Sequence, residues 1–111
     1  MVMREIKAII KPDRLSDVLR ALHTVPNLPG VTVSIVRGFG RRPSHDETVP
    51  TFDEVEMTKL EVVVPAAVAQ DVVRVIERTA HTGQLGDGKI FVLPVEHAVK
   101  IRSGERDVSA L

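Results

Sequence analysis

A glycine-rich segment in the last third of the chain carries the clearest chemical signal. It runs from Thr82 to Lys89 with the sequence TGQLGDGK. Glycines let backbone N–H groups turn toward an anion, and the ammonium that follows can neutralise it. The segment is not a Walker A motif, because that motif ends in Gly-Lys-Ser/Thr and here Ile90 follows the lysine. The pattern indicates a phosphate loop, although Asp87-Gly88 is also typical of a simple hairpin turn.

Two further basic groups could contribute to an anion site. The sequence GFGRR at residues 38–42 combines glycines, which permit close backbone approach, with guanidinium groups that bind phosphate oxygens in pairs. Lys100 and Arg102 alternate along a predicted last strand, so their side chains are expected on one side of it. Each group alone is equally typical of a solvated surface. The three groups together favour an anion-binding site.

The elements that must position these residues follow from periodicity. β-branched runs predict strands, helical spacing of apolar residues predicts helices, and Pro and Gly separate them. The predicted strands are 5–10, 31–37, 59–64, 90–93 and 98–101, and the predicted helices are 14–23 and 66–80. Their order predicts an α+β, ferredoxin-like split βαβ fold with an antiparallel sheet. Its helices cover one sheet face only, so we expect oligomerisation to cover the other.

Composition narrows the class of protein. The 111 residues form one predicted domain, 1–111, with 15 basic and 15 acidic residues and no Cys. Zero net charge argues against nucleic-acid binding, and the missing Cys excludes disulfides and thiolate catalysis. No stretch approaches the ~20 apolar residues of a membrane span, so a cytoplasmic protein is expected. No nucleophile motif or paired catalytic carboxylates occur, so an enzyme is not predicted.

Several segments, taken together, resemble the PII nitrogen-regulatory signalling family. They are Ile9 to Pro12, Gly38 to Arg41, Glu61 to Pro65, Thr82 to Val92 and Lys100 to Glu105, in matching order and spacing. The resemblance covers nearly the whole chain except the long loop at about 38–57, called the T-loop in that family. It implies a homotrimer that binds ATP or ADP in clefts between subunits. It also implies that the T-loop controls a target protein, such as a membrane transporter or a metabolic enzyme.

The resemblance also implies a residue-by-residue site. Gly86 to Lys89 would hold phosphates, Ile9 and Val63 would flank adenine, and Thr32, Lys100 and Arg102 would reach in from the neighbouring subunit. No metal ligand is assigned. The full implied set is Ile9, Thr32, Gly38, Phe39, Gly40, Arg41, Arg42, Val63, Gly86, Asp87, Gly88, Lys89, Lys100 and Arg102.

Departures from the family pattern bear on the co-ligand. The chain has no Tyr, so the tyrosine that many members have uridylylated is absent. Arg42 replaces a glutamine that helps ligate Mg²⁺ and 2-oxoglutarate, and it offers only donors. Met57 replaces a lysine that often contacts 2-oxoglutarate. A T-loop shortened by a few residues completes the pattern of a divergent PII-like member. These changes disfavour 2-oxoglutarate, leave Mg²⁺ and AMP binding open, and make bicarbonate a candidate.

An alternative from another class remains open. His45-Asp46-Glu47 in the long loop could hold a divalent ion, which would make the chain a metal-responsive module linked to heavy-metal efflux or other transport. Such a triplet is more often plain loop polarity.

Overall fold

The computed structural model describes residues 2–42 and 51–111, and side chains within that range except those of residues 41, 42 and 51–53. The predicted order of strands and helices is confirmed as far as the strand at 90–93, and short 3₁₀ turns lie at Pro12–Arg14 and Asp107–Ala110. In these residues the elements are β1 (Met3–Ile10), α1 (Leu15–Leu22), β2 (Thr32–Arg42), β3 (Thr51–Pro65), α2 (Ala66–Ala80) and β4 (Lys89–Val95).

The sheet has the order β2-β3-β1-β4, with antiparallel pairing of all three neighbouring strand pairs. This is the predicted ferredoxin-like arrangement, and the α+β fold class is confirmed. Alternate residues of β1 and β3, such as Ile6 and Leu60, are buried under the helices. From the helices, Val18 of α1 and Val72 and Ile76 of α2 complete this core, because residues three to four apart share one helix face.

Both described helices pack on one face of the sheet, and the opposite face mixes charged with apolar side chains. Strand alternation places Glu5 and Lys7 there, and Lys59 and Glu61 of β3 form an ion pair at 3.4 Å. Burial raises the pKa of Glu5, and a hydrogen bond from Glu5 lowers the pKa of Glu61. The two carboxyl groups therefore interact across the neighbouring strands. Coverage of this face by a second copy of the chain stays a prediction.

The segment at about 38–57 differs from its predicted form at both ends. β2 continues to Arg42 and β3 begins at Thr51, with pairing from Gly38 opposite Val55 to Arg42 opposite Thr51. Strand pairing therefore extends well into the predicted loop, although its residues show little apolar periodicity. The ladder of backbone hydrogen bonds, which side-chain patterns do not report, extends the ribbon.

The predicted strand at 98–101 is wrong. Only an isolated bridge between Val99 and Arg106 is present there. The Lys100 N–H donates to the Glu105 carbonyl at 2.8 Å, and the Gly104 N–H donates back to the Lys100 carbonyl at 2.8 Å. Gly104 has φ of +76°, which permits this tight turn. Lys100 and Arg102 therefore do not lie along a strand, and strand alternation does not align their side chains.

Candidate functional site

The glycine-rich loop is pressed directly against the end of β1. Gly88 has φ of +96°, and a Cβ at this position would lie 1.7 Å from the Ile9 carbonyl oxygen. No side chain fits in that space, so the contact requires glycine. Gly86 also has a positive φ, +89°. The backbone of this loop therefore adopts a shape that only its glycines allow.

Asp87 closes the loop on itself. Its Oδ2 accepts from the backbone N–H of Thr82 at 2.8 Å and of Gly83 at 2.9 Å, and its Oδ1 accepts from the Thr82 hydroxyl. The Lys11 ammonium lies 3.2 Å from Oδ1. The Thr82 hydroxyl, the two backbone amides and Lys11 hold the pKa of the Asp87 carboxyl well below its usual range. The carboxylate is thus ionised and turned into the loop.

Two kinds of donor in the loop are left available. Within residues 2–42 and 51–111, no hydrogen bond is made by the backbone N–H groups of Gly86 and Gly88. Lys89 is exposed and has no ion-pair partner in the same described range. Free amides and an unneutralised ammonium beside one another fit an anionic ligand. The residues predicted to bind phosphate therefore lie together.

A hollow of about 370 Å³ lies beside this loop. It is bounded by the end of β1, the last turns of α2 and the start of β4, and it includes Ile9, Asp87, Gly88 and Lys89 of the predicted site. Glu77 and His81 form its α2 side. One part of the predicted site is thus brought together within one chain.

Thr32 and Val63 lie in a different hollow, of about 490 Å³, which also includes Glu5 and Glu61. Val63 pairs with Glu5, four residues along β1 from Ile9. At ~3.4 Å per strand residue, Ile9 and Val63 lie about 13 Å apart. One adenine ring cannot contact both in one chain.

The remaining predicted residues lie on two projecting segments. Phe39 is 62% exposed on the extended part of β2, between Gly38 and Gly40. Arg41 and Arg42 end this strand, and their side chains are outside the described part. Lys100 and Arg102 lie in the exposed C-terminal turn, on either side of Ile101, which is 98% exposed.

Two basic residues near the loop were missed by the sequence reasoning. The Lys11 ammonium donates to the Thr82 hydroxyl oxygen at 3.3 Å and pairs with Asp87. Arg14 donates through Nε at 3.1 Å and a terminal guanidinium nitrogen at 2.6 Å to the Thr79 carbonyl, in the last turn of α2. Lys11 stands in the Ile9-to-Pro12 match, but its partner is 76 residues away in sequence. No local pattern could have identified that contact.

The metal hypothesis gains no support from the described residues. Among them, no group of three or more His, Asp or Glu side chains could hold a metal ion. His45-Asp46-Glu47 lies outside the described residues, so the metal-responsive alternative stays a prediction. Of the helices that the structure describes, none has the length and hydropathy needed to cross a bilayer.

Comparisons with known proteins agree with this architecture. A family model described as nitrogen regulatory protein P-II matches residues 3–105. The nitrogen regulatory protein P-II of Azospirillum brasilense is 42% identical, covering 98% of this chain and 100% of the relative. Nitrogen regulatory protein P-II 1 of Escherichia coli strain K12 is 44% identical with the same coverage.

Solved structures give the same result. The B. subtilis GlnK–ATP complex superposes with a TM-score of 0.88 at 27% identity, covering 99% of this chain and 98% of that one. Arabidopsis thaliana PII bound to citrate superposes with a TM-score of 0.83 at 38% identity, covering 99% and 92%. These are regulatory proteins, in agreement with the prediction that the chain is not an enzyme. The chain belongs to the nitrogen regulatory protein P-II family of signal-transduction proteins.

Proposed function

We propose that this protein is a cytoplasmic sensor that binds ATP, ADP or AMP in clefts between the subunits of a homotrimer. The nucleotide phosphates lie on the loop from Gly86 to Lys89, and occupancy controls a target protein through the segment at about 38–57. The observation that carries the proposal is the geometry of the glycine-rich loop. Gly88 packs against β1, the Asp87 carboxylate accepts hydrogen bonds within the loop, and Lys89 has no ion-pair partner among the side chains that the structure describes.

The separation of Ile9 from Val63 supports a site shared between subunits. If both residues flank one adenine, the ~13 Å between them within a chain requires that they come from two chains. Val63 already shares a hollow with Thr32, which suits a second half-site contributed by the neighbouring subunit. Lys100 and Arg102, in their exposed turn, belong to that second half.

The charge balance of the assembled site favours a polyphosphate. Arg41 and Lys89 would meet Lys100 and Arg102 of a neighbour, and four cations in one cleft repel each other without an anion. Bound nucleotide relieves that repulsion, so it should stabilise the assembly by mass action. The structural similarity to GlnK solved as an ATP complex supports the same ligand class.

The co-ligand is proposed to be a small anion such as bicarbonate rather than 2-oxoglutarate. Met57 is buried and apolar where a lysine would be needed, and Arg42 supplies donors but no metal-binding oxygen. Mg²⁺ therefore has no ligand from residue 42. We also propose that this chain is a divergent member of the family with a shortened T-loop.

Target control is assigned to the β2–β3 ribbon. Beyond the helix layer this ribbon exposes Ile35, Phe39 and Val55, which are 72%, 62% and 46% accessible. Apolar groups left in water at the base of a projecting segment suit contact with a partner. Nucleotide near Gly38 to Arg42 would fix the direction of the ribbon, and so present or withdraw that surface. The partner, a membrane transporter or a metabolic enzyme, binds there.

Isothermal titration tests the proposal. ATP, ADP and AMP are each titrated alone and with Mg²⁺, 2-oxoglutarate or bicarbonate. We expect micromolar binding, strengthened by bicarbonate and unaffected by 2-oxoglutarate. Lys89→Ala should weaken binding by ~1.5–3 kcal/mol, the value for a charge-assisted hydrogen bond.

The matched control is Arg20→Ala on α1, where the side chain is 79% exposed and pairs only with Asp17 in the described range. That variant should bind nucleotide as the parent does. If both variants lose affinity for nucleotide equally, or if Lys89→Ala loses none, Lys89 does not bind the phosphates. Absence of binding to the parent under every condition would overturn the nucleotide proposal itself.

A further inference from the structure

Asp87 is unusual for a residue inside a phosphate loop. It carries a full negative charge at neutral pH, and a like charge beside a phosphate is repulsive. Its side chain is only 23% exposed, although its neighbours Gly86 and Gly88 are exposed. The family resemblance includes Asp87 among the nucleotide-binding residues, but its carboxylate would repel a phosphate.

Both carboxylate oxygens are already engaged within the chain. Oδ2 accepts two backbone N–H groups, those of Thr82 and Gly83, at 2.8 and 2.9 Å. Oδ1 accepts the Thr82 hydroxyl hydrogen and faces the Lys11 ammonium at 3.2 Å. A carboxylate with two donors on each oxygen has little capacity left for a ligand. It joins the beginning of the loop to its end.

Lys11 links this closure to the body of the fold. It follows directly after β1, and Pro12 starts the short 3₁₀ turn behind it. Its side chain is 22% exposed, and its ammonium reaches both Asp87 and the Thr82 hydroxyl. Arg14, in the same turn, holds the Thr79 carbonyl at the end of α2. One short segment therefore fixes both the helix end that enters the loop and the interior of the loop.

We propose that Asp87 is a positioning residue that shapes the loop without touching nucleotide, and that Lys11 acts through Asp87 by neutralising and orienting its carboxylate. The inference rests on the proposed nucleotide site, which it refines. Lys11 keeps a negative charge close to the phosphates from opposing them. The closing contacts come from the chain's own residues, so the loop can be ordered before binding, which lowers the ordering cost.

A double-mutant cycle tests the proposal. Lys11→Met keeps most of the aliphatic side chain and removes its positive charge. Asp87→Asn keeps the shape of the side chain and replaces one accepting oxygen with an NH2 group. The third variant carries both substitutions. ADP and AMP titrations should show each single variant about tenfold weaker, and the double variant no weaker than the worse single. Two residues that act as one unit give such non-additive losses. Losses that multiply to about a hundredfold would show that Lys11 binds nucleotide independently and would overturn the proposal.

A second readout is how the loss of affinity depends on the number of phosphates in the nucleotide. A residue with a merely structural role would not change this dependence. When Lys11→Met is added to Asp87→Asn, a positioning role should change AMP, ADP and ATP binding by the same small factor, because no carboxylate charge remains to act on the phosphates. A larger factor for ATP than for AMP would mean direct contact with the terminal phosphates, contrary to the proposal. Lys89→Ala is the comparison, because its factor should grow with the number of phosphates.

A measurement without nucleotide separates this inference from the proposed function. Amide hydrogen exchange at Thr82 and Gly83 should quicken about tenfold in Asp87→Asn and in Lys11→Met, while unfolding temperatures confirm that both variants are folded. Unchanged exchange would overturn the closure role, whatever the nucleotide titrations give. If the parent binds no nucleotide and exchange still quickens, the proposed function fails and the loop closure by Asp87 and Lys11 stands.

Discussion

The glycine-rich loop and the C-terminal turn both carry predicted cations of the site, but they are built differently. The loop is fixed by contacts distant in sequence, with Gly88 against β1 and Lys11 on Asp87. The turn is closed by its own backbone, through Lys100, Gly104 and Glu105. The loop therefore depends on the packing of the whole chain, whereas the turn depends on residues close together in sequence. Under the proposed shared site, this difference would place the loop half in one subunit and the turn half in its neighbour.

The largest expected effect comes from filling the space at Gly88. Gly88→Ala places a methyl group where the Ile9 carbonyl lies, and it also imposes a positive φ on a residue with a side chain. We expect a loss of at least about 2 kcal/mol in the free energy of unfolding, together with loss of nucleotide binding. Denaturant unfolding and calorimetric titration measure the two effects.

Gly30→Ala is the matched control, because no atom lies within 4 Å of its added Cβ and its φ is not positive. It should leave the free energy of unfolding within about 0.5 kcal/mol of the parent. If Gly88→Ala behaves like this control, the close packing of the loop on β1 is not what fixes the loop.

Subunit mixing tests directly whether the two regions meet across an interface. Lys89→Ala damages the loop half-site and Arg102→Ala damages the turn half-site, so each homotrimer should bind nucleotide weakly. After the two variants are denatured together and refolded at equal amounts, about one site in four should combine an intact loop with an intact turn from its neighbour. Titration should then recover that fraction of high-affinity sites. No recovery would place both residues in one chain's site.

The smallest expected effect is a change in the glycine-rich loop at low pH. The pKa of Asp87 is lowered in the fold from its ordinary 3.8, with Lys11 and His81 as the charged or titratable groups facing it. A lowered folded pKa means that the ionised carboxylate stabilises the loop above about pH 4, and that this contribution is lost as the pH falls further. Backbone amide shifts of Thr82 and Gly83 should therefore move below pH 4. Asp87→Asn should not show this transition, and identical transitions in both proteins would contradict it.

Sequence periodicity predicted the sheet, both helices and the loop from Thr82 to Lys89, because each depends on local spacing. The extension of β2 beyond Gly38 was not predicted, because the backbone pairing of the two strands produces no alternating pattern of apolar side chains there. The strand at 98–101 was mispredicted because Val99 and Ile101 alternate with Lys100 and Arg102, whereas Gly104 turns the chain back. Lys11 was missed as a site residue because its role depends on a partner distant in sequence.

The ribbon of β2 and β3 has the geometry of a lever arm. Gly38 opposes Val55, and the paired strands continue four residues further to Arg42, a length of about 13 Å. Tilting this arm by ten degrees at Gly38 would displace its far end by about 2 Å, while the base hardly moves. Because Gly38 and Gly40 bring no side chains to the pivot, little packing resists such a tilt. A shift of a fraction of an ångström at the base would thus reach a partner magnified several-fold.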